Sequence, residues 1–67
     1  MINFKPLLGF LAYNNISLKE LAEKAGVNYA TVLRLSKHKD ISWSSLGKIC
    51  ECLNLNIKDI MRYELEV

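Results

Sequence analysis

Apolar residues recur along this chain at intervals of three and four, and the breaks between them divide it into five helical stretches. Phe4, Leu7, Leu8 and Leu11 form a stripe that predicts a first helix from Asn3 to Asn14. Asn3 serves as its cap, and Pro6 falls in the first turn, where a missing N–H does no harm. Ile2, Pro6, Phe10 and Tyr13 lie on another face, so this helix is either central to the core or has a partner. Asn14-Asn15 ends it, and Ile16 anchors the loop.

Ser17 opens a second helix, and Glu20 three residues on completes a capping box. Leu18, Leu21, Ala22 and Ala25 share one stripe. Gly26 stops this helix by supplying a left-handed backbone without steric penalty. After Val27, Asn28 is a candidate cap for a third helix running to about Lys37. There Val32 and Leu35 point one way, whereas Ala30, Leu33, Arg34 and Lys37, at i, i+3, i+4 and i+7, point the other. The small Ala22 lets the two helices approach closely, as a steep crossing requires. Ser17 to Lys39 therefore reads as two short helices locked at a fixed angle with one basic face open.

Lys37-His38-Lys39-Asp40 is a polar loop, and Ser42 can cap a fourth helix whose inward stripe is Trp43, Leu46, Ile49, Cys50 and Leu53. Gly47 interrupts it at a cost of about 1 kcal/mol relative to alanine. Asn54-Leu55-Asn56 makes a turn, and Ile57 to about Arg62 gives one further short helix. The tail at 63–67, Tyr-Glu-Leu-Glu-Val, then alternates as a strand does. A lone strand cannot satisfy its own backbone groups, so the tail either frays or pairs, most simply with the same tail of a second copy.

With 67 residues and 51% apolar content, the chain is expected to be one small domain, 1–67, burying only ~60% of its unfolded surface. Such a marginal core is expected to draw on oligomerisation or unusually good packing. No apolar run reaches the ~20 residues of a membrane span. The start, Met1-Ile2-Asn3-Phe4-Lys5-Pro6, lacks a signal peptide's basic region, which points to a cytoplasmic protein. The net charge of +2 is small, but residues 1–39 carry six Lys or Arg against Glu20 and Glu23, and residues 40–67 carry three against five acids. The molecule is polarised, with one side suited to phosphates.

Cys50 and Cys52 sit two apart on a helix, so their side chains diverge by about 200° and neither close a disulfide readily nor grip one metal. Zinc needs about four ligands, and His38 is the single histidine. No metal or cofactor is expected. Free thiols agree with a reducing compartment. His38 lies between lysines with no serine or cysteine placed as its nucleophile, and reads as a solvated loop residue or a phosphate contact. No enzyme is expected.

Ala22, Gly26, Val27, Val32 and Leu35, in register between an apolar first helix and the later Leu46, Ile49, Leu53 and Ile57–Met61, resemble the phage repressor and Cro-type (Xre-like) helix-turn-helix family. The resemblance covers nearly the whole chain. It implies an all-α, five-helix, lambda-repressor-like helix-turn-helix domain with its motif at about 17–37 and the tail as a candidate short β-strand. It also implies double-stranded DNA as the partner, with helix 28–37 in the major groove and the preceding helix crossing the backbone.

On that reading Arg34 is the candidate for guanine, whose two acceptors its fork matches. Asn28 either addresses adenine or caps its helix. Tyr29 offers a hydroxyl to phosphate or stacks on a sugar, and Thr31 touches the backbone. Ala30 and Leu33 can meet only thymine methyls. Lys19, Lys37 and Lys39 neutralise phosphates. Many members carry a glutamine near Leu18, and polar groups where this chain has Ala30 and Leu33. Leu33 therefore either faces thymines or packs against the fourth helix near Trp43. The expected protein is a transcriptional regulator, a repressor acting as a homodimer. The alternative is a protein-interaction module, such as an antitoxin or anti-repressor, holding a protein partner through the Phe10 and Tyr13 face or the tail.

Overall fold

A computed structural model describes residues 2–63. Its elements are β1 (Ile2–Asn3), α1 (Lys5–Tyr13), α2 (Leu18–Ala25), α3 (Tyr29–Ser36), α4 (Trp43–Leu53), α5 (Ile57–Ile60) and β2 (Arg62–Tyr63). The five expected helices are present, and each begins where a local group can satisfy orphan backbone donors. The Ser17 hydroxyl accepts from Glu20 N at 3.1 Å while the Glu20 carboxylate accepts from Ser17 N at 3.3 Å, a closed capping box. The Ser42 hydroxyl accepts from Ser45 N at 3.2 Å. At α5 the Asp59 carboxylate accepts from Asn56 N at 3.0 Å.

The first four helices end by one device. Asn15, Gly26, His38 and Asn54 all take positive φ. In each case the next residue donates its N–H to the carbonyl five positions back: Ile16 to Leu11, Val27 to Ala22, Lys39 to Arg34 and Leu55 to Cys50, at 2.9–3.1 Å. Ile16, Val27 and Leu55 then turn inward and pack on the core, so three of the four stops are fixed by apolar burial as well. The core consists of Phe4, Leu7, Leu11, Leu21, Ala22, Val32, Leu35, Leu46, Ile49 and Ile60.

Several expectations are corrected. The first helix begins at Lys5 rather than Asn3, because Asn3 belongs to β1, although its side-chain oxygen still accepts from Lys5 N at 3.1 Å. Leu8 is only half-buried. The second stripe of α1 divides: Ile2 and Phe10 pack on the core, whereas Tyr13 is 87% exposed. Trp43, expected inward, is 74% exposed. It is the first residue of α4, and a helical side chain leans toward the N-terminus, which here lies beyond the last turn that covers the core. The last helix ends at Ile60, since Met61 is already extended.

The strand at the C-terminal end has a partner within the chain. β2 pairs antiparallel with β1, Ile2 opposite Tyr63 and Asn3 opposite Arg62, so these backbone groups bond to the N-terminal segment and not to a second copy's tail. The remainder of the alternating tail, 64–67, lies outside the described residues.

Candidate nucleic-acid interface

The geometry of α2 and α3 follows from three local choices. Gly26, at φ 70°, turns the chain, and Val27 N donates to Ala22 O at 3.1 Å. Asn28 then takes extended backbone, and its side-chain oxygen accepts from Ala30 N at 2.9 Å, so of its two open roles the structure shows the cap. Finally Val32 and Leu35, both wholly buried, seat α3 in the core beside Leu21 and Ala22. With that face inward, the opposite face of α3 must be presented to solvent.

That face carries Ala30, Arg34 and Lys37, all exposed, with Tyr29 47% exposed at the start of the helix. Thr31 and Leu33 are half-buried, and Leu33 is not among the side chains packed on the core. Lys19 and Lys39 are exposed on either side, one on α2 and one in the loop after α3. Lys19 and Tyr29, with Ala22, Glu23 and Val27, line a shallow hollow of about 410 Å³ where α2 meets the start of α3. The predicted residues thus share the α2–α3 side of the molecule, and Glu23 adds an acid beside Lys19 and Tyr29.

Arg34 departs from the expectation of a free fork. Its Nε and Nη2 both donate to the main-chain oxygen of Asp40, at 3.1 and 2.9 Å. Beside it, Thr31, Asp40, Ile41, Ser42 and Ser45 complete a second hollow of about 430 Å³ with three hydroxyls in its wall. Ser42, Ser45 and the Asp40 carbonyl were not predicted at this site. The serines were legible only as helix-start residues, and a carbonyl acceptor carries no residue-type signal at all.

His38 is likewise reassigned. Rather than lying free in solvent, its Nδ1 accepts from Phe4 N at 3.0 Å, which ties the loop after α3 to the start of α1. An accepting Nδ1 is unprotonated, so the imidazole is the tautomer with its proton on Nε2. The two thiols are free. Among the described residues no three His, Cys, Asp or Glu side chains are grouped to hold a metal, and no helix is long and apolar enough to cross a membrane.

A capped helix, a glycine turn and a second helix with an outward basic face define a helix-turn-helix DNA-binding domain. The chain belongs to the Cro/C1-type HTH DNA-binding domain family, whose model it matches over residues 7–66. This is a family of DNA-binding proteins and not of enzymes. The chain is similar to the crystal structure of the transcriptional regulator VanUg, form II, with a TM-score of 0.86 and 31% sequence identity, covering 97% of this chain and 87% of that one. No curated protein matches it in sequence.

Proposed function

We propose that this protein is a transcriptional regulator, a sequence-specific repressor that binds double-stranded DNA with α3 in the major groove. The observation that carries the reading is the seating of α3: Val32 and Leu35 are wholly buried, and this holds Ala30, Arg34 and Lys37 outward on a rigid mount. In this role α3 sets its first turn against base edges while α2 crosses the backbone. Lys19, Lys37 and Lys39 neutralise phosphates, Tyr29 meets phosphate or sugar beside Lys19, and Thr31 meets the backbone near Arg34. The likeness to VanUg, described as a transcriptional regulator, supports the regulatory role. A cytoplasmic location follows from the same role.

The working form is a homodimer. A helix of 8 residues covers little of one groove, and two copies on a two-fold site double the reading when half-sites lie about 34 Å apart. Trp43, 74% exposed, joins Ile2, Phe4, Ile41, Leu46 and Met61, with Asp40, in the wall of a largely apolar hollow, which supports contact with another protein surface. That surface equally supports the second reading, a protein-interaction module such as an antitoxin or anti-repressor.

Selection of random duplexes on the purified chain tests the proposal, with sedimentation of the free and bound protein. The expected result is a two-fold related site bound by two copies, with affinity that falls as salt rises. Failure to retain any duplex in dilute salt removes the reading.

A further inference from the structure

We propose that α3 reads thymine methyl groups, with Ala30 and Leu33 as the reading side chains, and that Arg34 is held off the bases. This rests on the placement of α3 in the major groove proposed above. With 100° between successive residues, the arc opposite Val32 and Leu35 contains Ala30, Leu33, Arg34 and Lys37. Apart from the Tyr29 hydroxyl, assigned above to phosphate or sugar, the hydrogen-bonding groups on or beside that arc are engaged or peripheral. Asn28, whose amide pair matches adenine, turns its oxygen into its own helix to accept from Ala30 N. Arg34 gives the parallel donors of its Nε and Nη2 edge to the Asp40 carbonyl. Lys37 is already the C-cap, at the end of α3 farthest from the base-reading turn. Thr31 joins Ser42 and Ser45 in the wall of the hollow beside Arg34.

Once these are set aside, what remains on the arc is apolar, Ala30 near its middle and Leu33 on its flank. Ala30 is exposed, and Leu33 is half-buried without joining the core. In the major groove the one apolar group on a base edge is the C5-methyl of thymine. A leucine on this arc therefore has thymine as its matched base, and no hydrogen bond with which to choose guanine or adenine. Arg34 keeps its two Nη1 donors, the second Nη2 N–H and its charge, which suit the phosphate backbone beside the Thr31, Ser42 and Ser45 hydroxyls.

The test takes the duplex retained by selection and replaces each thymine singly with deoxyuracil, which removes the methyl and nothing else. Affinity is expected to fall by about fourfold at each thymine under Ala30 or Leu33, the weight of one buried carbon. Leu33→Ala is expected to abolish the sensitivity at its own thymine while leaving that at the Ala30 position. A second arm replaces each guanine with 7-deazaguanine, which lacks the N7 acceptor, for the unaltered chain and for Arg34→Ala. The expected result is no loss that depends on Arg34. The uracil arm uses the unaltered chain, so loss of folding in a variant does not obscure it. A retained duplex indifferent to uracil at every position overturns this proposal alone, as does a 7-deazaguanine penalty that disappears in Arg34→Ala. Absence of any retained duplex overturns both this proposal and the reading beneath it.

Discussion

At Gly26 and at His38, on either side of α3, the backbone takes the same left-handed step, with φ of 70° and 56°, and the following residue donates to the carbonyl five positions back. The two turns differ in what holds them. The first is made of neighbours: a glycine free to take φ 70°, the Ser17 and Glu20 box at the far end of α2, and the Asn28 cap of α3. The second depends on distant chain. His38 adopts a conformation costly for a residue with a side chain, and its imidazole then accepts from Phe4 N, 34 positions earlier. One end of α3 is thus set by local chemistry. The other adds a contact with the chain just before α1.

The largest expected effect comes from breaking the second turn. His38→Ala leaves the N–H of Phe4, a residue 1% exposed, without its acceptor, and is expected to cost about 1–3 kcal/mol. His38→Gly loses the same bond but relieves the left-handed strain, and is expected to be milder by about 1 kcal/mol. Urea unfolding of both variants reads the difference. If both keep the midpoint of the unaltered chain, the imidazole contributes nothing and the contrast between the turns fails.

Breaking the first turn is expected to cost less than the worst case at the second. A Cβ built on Gly26 meets nothing within 4 Å, so Gly26→Ala carries only the backbone penalty of about 1–2 kcal/mol. Because nothing collides, the angle between α2 and α3 survives, and the folded variant should bind duplex as the unaltered chain does. Stability by urea and affinity under folding conditions should therefore part company. A matched loss of affinity would mean that the turn sets the helix angle by more than its φ.

The same contrast explains what was legible in the amino-acid sequence. Ser17 and Glu20, Gly26 and the Val32 and Leu35 pair act within a few residues, and their residue types announce their work. The five helices and the outward face of α3 were readable for that reason. The Phe4 N–H to His38 bond and the Arg34 fork on the Asp40 carbonyl each have a main-chain group on one side, which any residue type provides. Neither contact leaves a pattern. The pairing of β1 with β2 was hidden differently: two residues on each strand are too short to show a period, and the alternation read at 63–67 meets the described strand only at Tyr63. Trp43 misled because its spacing matched the inward stripe, while its place at the first position of α4 puts it beyond the core.

The smallest expected effect lies at a third turn of the same kind, Asn54, where Leu55 N donates to Cys50 O at 2.9 Å. The Cys50 thiol is pushed above its ordinary value of 9.0, first by burial and second by the negative charge of Asp59. Below that value both the folded and the unfolded chain hold the proton, and stability does not change. Above it the unfolded chain releases the proton first, so stability falls with rising pH until the folded thiol ionises too. Cys50→Ala removes this dependence and leaves every other residue in place. The urea midpoints of the two proteins are therefore expected to run parallel at neutral pH and to converge or cross only above pH 9.0, as the unaltered chain loses its advantage. Curves that stay parallel into alkaline solution would show the thiol to be no more protected in the fold than out of it.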